Sequence, residues 1–190
     1  MLRTFGRLCI IAASVLAGYL LWVLWGTGLI TARAQDDLRQ DFAPRLENPQ
    51  LPPEGEPVRL SGDAIAQIII PRMELDAIVV KGTGTQDLIK GPGLYPDSAL
   101  PWEPHGRVAI AGHRTTYGAP FWDLDKLREG DLIQLATEYG TFDYHVVRSE
   151  IVQPTATQVL DQTERPTLVL TTCNPRFSAA QRLIVIADRE

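Results

Sequence analysis

One cysteine, one histidine and one arginine hold comparable places in the sequence, each at the end of an apolar run. Cys173 follows a run that is typical of a β-strand and comes two residues before a proline, which ends strands. His113 follows a second such run, and Arg182 opens a third, nine residues after Cys173. Strand ends give way to loops, so we expect the three side chains to be accessible and, if the strands are neighbours, to lie together.

These three residue types form a usable catalytic set. The nucleophile is the thiolate, and an ordinary thiol, with a pKa of about 8.5, is mostly protonated near neutral pH. An imidazolium and a guanidinium beside Cys173 would stabilise the anion. His113 would protonate a leaving amine and deprotonate an incoming one, and Arg182 would hold the oxyanion of a tetrahedral intermediate through two donors.

Each of these residues also has a plainer interpretation. Buried cysteines are more often structural than catalytic, His113 would serve equally as a turn residue, and Arg182 as a solvated strand-edge residue. The other two histidines, His105 in a Pro-His-Gly turn and His145 within a strand, are interpreted as structural. A zinc site built from His105, His113 and Cys173 is a further hypothesis.

Motifs for other chemistries are weak or missing. The sequence has no HExxH and no paired CxxC, so it gives little support to metal-dependent hydrolysis. Gly82-Thr83-Gly84 lacks the third glycine and the long helix of a dinucleotide-binding loop, and it is interpreted as a turn.

Short β-branched runs separated by turn signals predict the secondary structure of the domain. The predicted strands are Ala64–Ile70, Ile78–Val80, Arg107–Ala111, Leu132–Ala136, Thr141–Val147, Leu168–Thr172 and Leu183–Ala187. Single helical turns are predicted over Thr85–Ile89 and Trp122–Leu127. Segments this short cannot supply crossover helices, so the pattern favours an all-β barrel or sandwich.

Composition and charge exclude several classes of protein. The 190 residues carry 18 basic and 23 acidic side chains, a net charge of −5, which argues against a nucleic-acid-binding scaffold. Two cysteines cannot form a disulfide framework. The length and the ordinary composition predict one globular domain.

The first thirty residues predict a membrane helix. Leu8–Ala32 is a run of 25 residues without a charge, and a bilayer core needs about 20 helical residues. Two arginines precede it, which predicts a cytoplasmic N-terminus (residues 1–7), a single-pass anchor (8–30) and an extracellular domain. A cleaved signal peptide ending near Ala34 is the alternative, although its apolar region is ordinarily only about 7–15 residues long.

A spacer is predicted between the anchor and the domain. Residues 31–60 contain five prolines and charges of both signs, which predicts an extended segment that holds the domain off the membrane. The alternative is an ordered extension that packs on the domain through Leu46, Leu51 and Leu60. The domain itself is predicted to cover residues 61–190.

At these residues the chain resembles the sortases, and most of all the class E sortases of actinomycetes. The similarity covers about residues 64–190 and rests on three blocks in order. They are AGHRTTYG (111–118) with the downstream Phe121, LDKL (124–127) and GD (130–131), then LTTCNP (170–175), then RLIV (182–185).

The resemblance implies an eight-stranded β-barrel and a cysteine transpeptidase that needs no cofactor. By position, Cys173 is the nucleophile, His113 the general acid/base and Arg182 the holder of substrate and oxyanion. Sortases cleave a sorting signal between Thr and Gly through a thioacyl intermediate, and an amine of a cell-wall precursor resolves it. Hydrolysis competes at that stage. Tyr95 matches a tyrosine associated with a preference for LAXTG over LPXTG, and with Thr172 it is expected to bind substrate.

Two alternatives and one departure accompany this resemblance. A pilus-polymerising sortase would use a lysine of another subunit as the amine, and a non-catalytic barrel would only bind exported peptides. The usual TLXTC signature begins with Thr, whereas this chain has Val169 there. Val169 shares a strand face with Cys173, so the change affects packing below the site and removes no catalytic group.

Overall fold

The computed structural model describes residues 2–47, 49–50 and 63–190. A long N-terminal helix consists of α1 (Leu2–Leu21), a π-helical turn (Trp22–Gly26) and α2 (Thr27–Glu47). The remaining described chain forms a β-barrel with one short helix, α3 (Thr85–Leu88), and three 3₁₀ turns, Pro71–Met73, Leu124–Lys126 and Thr157–Leu160.

The described residues form eight strands that close into one barrel. The strands are β1 (Ala64–Ile70), β2 (Leu75–Lys81), β3 (Gly93–Leu94), β4 (Arg107–Ala111), β5 (Leu132–Thr137), β6 (Gly140–Val152), β7 (Thr167–Asn174) and β8 (Gln181–Arg189). Their order is β1-β2-β3-β4-β7-β8-β6-β5, and β5 pairs with β1 to close the barrel. The eight-stranded barrel is therefore confirmed.

All seven strands expected from the sequence are present. Ala64–Ile70 and Arg107–Ala111 have the predicted bounds, and the others extend by one to several residues beyond them. The strand that the sequence analysis did not predict is β3, which has only two residues and begins at the second glycine of the segment Gly91-Pro92-Gly93. It is held by its pairing with β2 and β4, a tertiary effect that a local pattern does not contain.

The barrel buries two apolar faces. Alternate residues of each strand point inward, and side chains such as Ile68, Leu135 and Leu170 are completely buried in the interior. The opposite face of β4, β7 and β8 carries a smaller outer cluster. Its members are Ala109, Val169, Ile184 and Ile186, and Tyr95, Val152, Val159 and Leu160 cover it.

Helix α2 packs along the outside of the barrel. Phe42 is buried against Ala64 and Ile78, with Leu46 partly buried beside them. Gln35 accepts from the Ile78 amide at 2.7 Å and donates to the Ile78 and Lys90 carbonyls at 2.9 Å each.

The extended conformation that we expected for residues 31–60 is therefore wrong for residues 31–47, which are helical. The prolines concentrate beyond position 48, and residues 31–43 are proline-free with an apolar face that the barrel buries. Among the docking residues expected for an ordered extension, Leu46 packs as described, while Leu51 and Leu60 lie outside the described residues.

The N-terminal helix is long and apolar enough to cross a membrane, judged by length and composition. It runs over Arg3–Glu47, and its most apolar 18-residue window has no part buried against the rest of the protein. Helix α1 exposes large side chains such as Ile10, Val15 and Tyr19, a pattern that suits contact with lipid.

Candidate active site

Cys173 and Arg182 are directly opposite each other in the antiparallel pair β7–β8. Directly opposite residues have their side chains on the same face, with Cα atoms about 4.5–5.5 Å apart. Both side chains are half-exposed, at the end of the outer face that the outer cluster fills. The guanidinium donates to the carbonyls of Ala179 and Gln181, each at 3.1 Å, which holds it beside the strand end.

His113 lies on the same side of the barrel end. Strands β4 and β7 pair in parallel with Ala111 beside Thr171, and the Gly112 amide extends this ladder by donating to the Thr171 carbonyl at 3.1 Å. Continuing the register places His113 next to Cys173. The structure thus brings the three sequence-predicted catalytic residues to one edge, from three neighbouring strands.

Thr172 points to the opposite face and is almost fully buried, with 3% of its surface exposed. Its hydroxyl donates to the Gly112 carbonyl at 2.7 Å. Together with the bond from the Gly112 amide to the Thr171 carbonyl, this fixes the residue before His113 on both sides. The Thr172 side chain therefore orients the backbone that carries the imidazole.

Arg114 is a site residue that the sequence analysis did not single out. Its side chain is only 3% exposed and forms an ion pair with Asp125 at 3.1 Å. It also donates to the Asn174 side chain at 2.8 Å and to the Cys173 carbonyl at 3.3 Å. The Arg114 side chain therefore connects the segment that follows β4 to the end of β7 that carries Cys173. The signal for it was present in the alternation, which places Arg114 on the face opposite to His113.

The His113 ring is partly buried. Burial disfavours the imidazolium and lowers the pKa of His113 below its usual 6.5. The ring of Tyr117 packs against it with centroids 5.1 Å apart. Within the described chain, the buried His113 Nε2 has no hydrogen-bond partner. The imidazole is therefore mostly neutral near pH 7.

The N-terminal helix reaches the site through Tyr117. The Tyr117 amide donates to Thr27 Oγ1 at 3.1 Å, and Thr27 is buried where α2 begins. Tyr117 has a φ of 52°, a left-handed conformation that is costly for a residue with a side chain and needs support from its surroundings. One residue of the helix thus helps to hold the ring that covers His113.

Tyr95 lies on the same outer face as Cys173, further along the strands. Its hydroxyl is 3.0 Å from Thr171 Oγ1, two positions before the cysteine. Tyr95 lines a groove of about 350 Å³ together with Ser98, Ala109, Leu160 and Gln162. The groove is open to solvent and combines apolar surface with polar groups, among them Asp97 and Asp161, and a peptide could bind in such a groove.

The histidines that the sequence analysis assigned to structure are used elsewhere. His105 lies before β4, at the opposite end of that strand from His113, and bonds to the Glu164 carbonyl at 2.8 Å. His145 contacts the Gly130 carbonyl and Glu190. The zinc arrangement of His105, His113 and Cys173 is not assembled, and the described ranges contain no group of three potential metal ligands.

The arrangement suits acyl transfer through a thiol. A thiol, an imidazole and a guanidinium lie at one edge of the barrel, and these are groups that can serve as nucleophile, proton carrier and oxyanion-binding group. The groove beside Tyr95 opens on the same outer face as Cys173, although Cys173 is not among its lining residues.

Comparison with known proteins agrees with this geometry. Residues 68–190 match the protein family described as the sortase domain. The chain is 37% identical to sortase D of Bacillus subtilis over 134 residues, which is 68% of this chain and 65% of that protein. It is 27% identical to sortase SrtE1 of Streptomyces coelicolor over 203 residues, or 96% of this chain and 55% of that protein. The chain thus spans between 55% and 65% of the length of these curated relatives.

Solved structures give the same result. A sortase D5 transpeptidase of Clostridium perfringens superposes with a TM-score of 0.71 at 25% identity, covering 83% of this chain and 99% of that one. Sortase E of Streptomyces avermitilis superposes with a TM-score of 0.61 at 36% identity, covering 70% and 91%. With its closed barrel, its site geometry and its similarity to class E enzymes, the chain belongs to the sortase family.

Proposed function

We propose that this protein is a membrane-anchored cysteine transpeptidase that cleaves a C-terminal sorting signal of LAXTG or LPXTG type between Thr and Gly and joins the new C-terminus to a cell-wall amine. Cys173 is the nucleophile, His113 the general acid/base, and Arg182 the group that binds the oxyanion. The observation that carries the proposal is the register of β7 and β8, which pairs Cys173 with Arg182. The parallel register of β4 and β7, which ends at Ala111 beside Thr171, supports a position for His113 next to them.

The first half-reaction forms a thioester. His113 accepts the thiol proton while Cys173 Sγ attacks the threonine carbonyl carbon, and Arg182 binds the oxygen on which negative charge develops. The intermediate collapses with cleavage of the C–N bond, and His113 gives its proton to the departing glycine amine. A neutral imidazole at the start of this step agrees with the lowered pKa of His113.

The second half-reaction consumes the thioester. His113 takes a proton from the incoming amine, the amine nitrogen attacks the same carbonyl carbon, and the carbon–sulfur bond breaks. The proton then returns from His113 to the sulfur of Cys173. Water competes with the amine at this stage, so slow hydrolysis accompanies transfer.

The groove beside Tyr95 supports the assignment of a peptide substrate. Its floor includes Ala109 of the outer cluster, and its rim is formed by the 3₁₀ turn Thr157–Leu160. Small apolar residues of a sorting signal would fit this floor, with Tyr95 close to the residue two or three positions before the scissile bond. Thr172 acts on the reaction through Gly112 and His113, because its hydroxyl is already bonded.

The N-terminal helix supports the anchoring part of the proposal. Its apolar run is long enough to span a bilayer, and Arg3 and Arg7 before it favour a cytoplasmic N-terminus. The catalytic domain is then on the outside of the cell, where secreted proteins and cell-wall precursors meet it.

Incubation of the full chain in detergent micelles with an LAXTG peptide and an amine tests the proposal. Mass spectrometry should detect a product that carries the amine on the threonine, and no product in the absence of protein. A folded protein that gives neither this product nor threonine-terminated hydrolysis product would contradict it. LPXTG and scrambled peptides assayed in parallel measure the substrate preference, and Tyr95→Phe tests the role of the tyrosine hydroxyl in it.

A further inference from the structure

The loop that follows His113 lies against the helix at Thr27 and Gly28, within the last two turns of the apolar run. The Tyr117 amide donates to Thr27 Oγ1, and Gly118 backbone atoms lie within 4 Å of the position that a Cβ on Gly28 would take. Leu24 and Trp122 line the same cavity of about 360 Å³ between helix and loop. The active-site end of the barrel is thus fixed beside residues 24–28 of the helix.

The depth of these helix residues follows from the length of the apolar run. Leu8–Ala32 has 25 residues, which at 1.5 Å per residue extends over about 38 Å, against a hydrocarbon core of about 30 Å. For any 20-residue stretch of this run that crosses the core, Leu24 lies in the outer half of the core, and Gly28 lies between the core boundary and about 6 Å inside it. A loop in contact with Gly28 must meet the membrane surface.

The side chains exposed on this part of the barrel suit that surface. Trp122 is 39% exposed and Phe177 is 68% exposed, and their rings pack edge to face with centroids 5.8 Å apart. Aromatic side chains favour the membrane–water interface, where tryptophan is enriched. The Arg176 guanidinium lies 4.8 Å from the centre of the Trp122 ring and bonds the Trp122 carbonyl.

The charges around these rings do not oppose contact with phosphate headgroups. Asp123 and Asp125 are the nearby acidic residues, and both are paired. Arg176 contacts both carboxylates, Lys126 contacts Asp123 at 2.9 Å, and Arg114 contacts Asp125 at 3.1 Å. The two exposed cations Lys126 and Arg176, with the buried Arg114, thus neutralise both carboxylates, so no unpaired acidic group among them repels the headgroups.

From these observations we infer that residues 115–122 together with Arg176 and Phe177 form a membrane-contacting face, which rests on the headgroup layer of the outer leaflet. The inference rests on the proposed anchor, because the depth argument requires the helix to span the bilayer. It goes beyond anchoring, since a helix alone does not determine which side of a domain touches lipid. The catalytic edge then opens directly beside the membrane surface.

The opposite end of the barrel provides an internal control. Trp102 packs on Tyr139 there, and the Pro101 carbonyl bonds Arg189 at the end of β8 that is remote from Arg182. Helix α2 runs from Thr27 at the active-site end for 21 residues, about 30 Å. Trp102 is therefore predicted to be out of reach of the bilayer.

Two single-tryptophan proteins test the membrane-contacting face. One keeps Trp122 and the other keeps Trp102, with the remaining tryptophans replaced by Phe. Each full chain is reconstituted into vesicles of equal parts phosphatidylcholine and phosphatidylglycerol, with or without bromine on the acyl chains near the headgroup. We expect brominated lipid to quench most of the Trp122 emission and to leave Trp102 emission unchanged, while aqueous iodide quenches Trp102 more strongly.

Two results would overturn the inference in distinguishable ways. If the chain floats with the vesicles but brominated lipid quenches neither tryptophan, or both equally, the anchor stands and the membrane-contacting face is wrong. If the chain does not float with the vesicles, both the proposed anchor and the membrane-contacting face are wrong. Peptide transfer by the same preparations in detergent reports separately on the proposed chemistry.

A second pair of variants covers the case in which the tryptophan replacements unfold the chain. Phe177→Cys and Glu103→Cys, both at exposed positions, each receive an environment-sensitive dye in a Cys9→Ser, Cys173→Ala background. We expect a blue shift on reconstitution for the dye at position 177 and none at position 103. Equal spectra at the two positions would overturn the inference.

Discussion

Cys173 and Arg182 are directly opposite residues of adjacent antiparallel strands, so that backbone pairing alone sets the separation of a nucleophile and a cation. No loop conformation is required to bring them together. His113 joins them through the parallel register of β4 and β7 and the two hydrogen bonds of Gly112. The barrel therefore supplies a preorganised edge, which is what charge stabilisation in a transition state needs.

Replacing the site thiol is expected to abolish transfer, because no other group can form the thioester. Cys173→Ala should give no acyl-enzyme and no ligated product, with the melting temperature little changed. Cys9→Ala is the matched control, since Cys9 lies exposed on the helix, and it should retain full activity. Intact-protein mass spectrometry with a substrate peptide measures both. An acyl adduct on the Cys173→Ala protein would contradict the assignment.

Replacing Arg182 is expected to lower kcat with little effect on stability. The side chain is half-exposed and bonds only carbonyls of its own loop, so Arg182→Ala costs few native contacts. Loss of a donor to the oxyanion lowers kcat by about 10²- to 10³-fold in comparable sites. Arg72→Ala, which breaks a pair with Asp131 elsewhere on the barrel, serves as the control and should leave kcat unchanged. Steady-state kinetics with the peptide and amine distinguish the two.

The His113 imidazole is expected to titrate below 6.5, because burial lowers its pKa. Between that lower pKa and 6.5 the unfolded chain binds more protons at this residue than the folded chain does. This residue therefore makes the protein less stable as the pH falls through that window. NMR titration of His113 in the Cys173→Ala protein measures the midpoint.

Removing the ring that covers His113 extends the same test. Tyr117→Ala exposes the imidazole and should move the midpoint upward, towards 6.5. Phe177→Ala, at an exposed position away from the packing of Tyr117 on His113, should leave the midpoint in place. A midpoint above 6.5 in the unaltered protein would show that charge attraction outweighs burial at this site.

Thr27 is expected to influence the site from the N-terminal helix. Thr27→Val leaves the Tyr117 amide without its acceptor, which costs about 1–3 kcal/mol for a buried donor and frees the ring over His113. We expect kcat to fall by about 10- to 100-fold with KM little changed, a shifted His113 titration, and rescue by Thr27→Ser. Thr31→Val is the matched control one turn along, because its hydroxyl bonds the Ile89 carbonyl instead. Equal effects at both positions would point to simple loss of helix packing.

Gly112 is expected to tolerate no side chain. A Cβ there would lie 2.6 Å from the Phe121 ring, which is fully buried and cannot move aside cheaply. Gly112→Ala should destabilise the fold by about 1–3 kcal/mol and lower activity, because the same backbone carries His113. Thermal unfolding and kinetics measure the two effects. Pairing it with Phe121→Leu should restore part of the stability, and no recovery would show that the strain lies elsewhere.

The strands of the barrel could be predicted from the sequence because most of them are short apolar runs bounded by Gly and Pro. Such a pattern is contained in a few neighbouring residues. β1 and β4 were predicted with their observed bounds, whereas two-residue β3 was missed because only its neighbours define it. Cys173, His113 and Arg182 were singled out by residue type and by their places at the ends of predicted strands, and their catalytic roles remain predictions. Arg114 and Thr27 were not, because their contribution depends on contacts with Asn174 and Tyr117, which are far away in the chain.

Helix α2 illustrates a different limit of prediction from sequence. Proline content is a property of a whole segment, and it led to an extended prediction for residues that are helical up to Glu47. What decides the conformation there is the barrel surface, which buries Phe42 and bonds Gln35. Packing overrode composition, as it commonly does for amphipathic segments.

Helix α2 stays against the barrel instead of leaving it as a loose tether. If the helix is the anchor that we propose, the catalytic edge keeps one distance from the bilayer. A sorting signal on a protein that is itself tied to the membrane would then meet this edge only at a matching distance from the bilayer, whatever its side chains are.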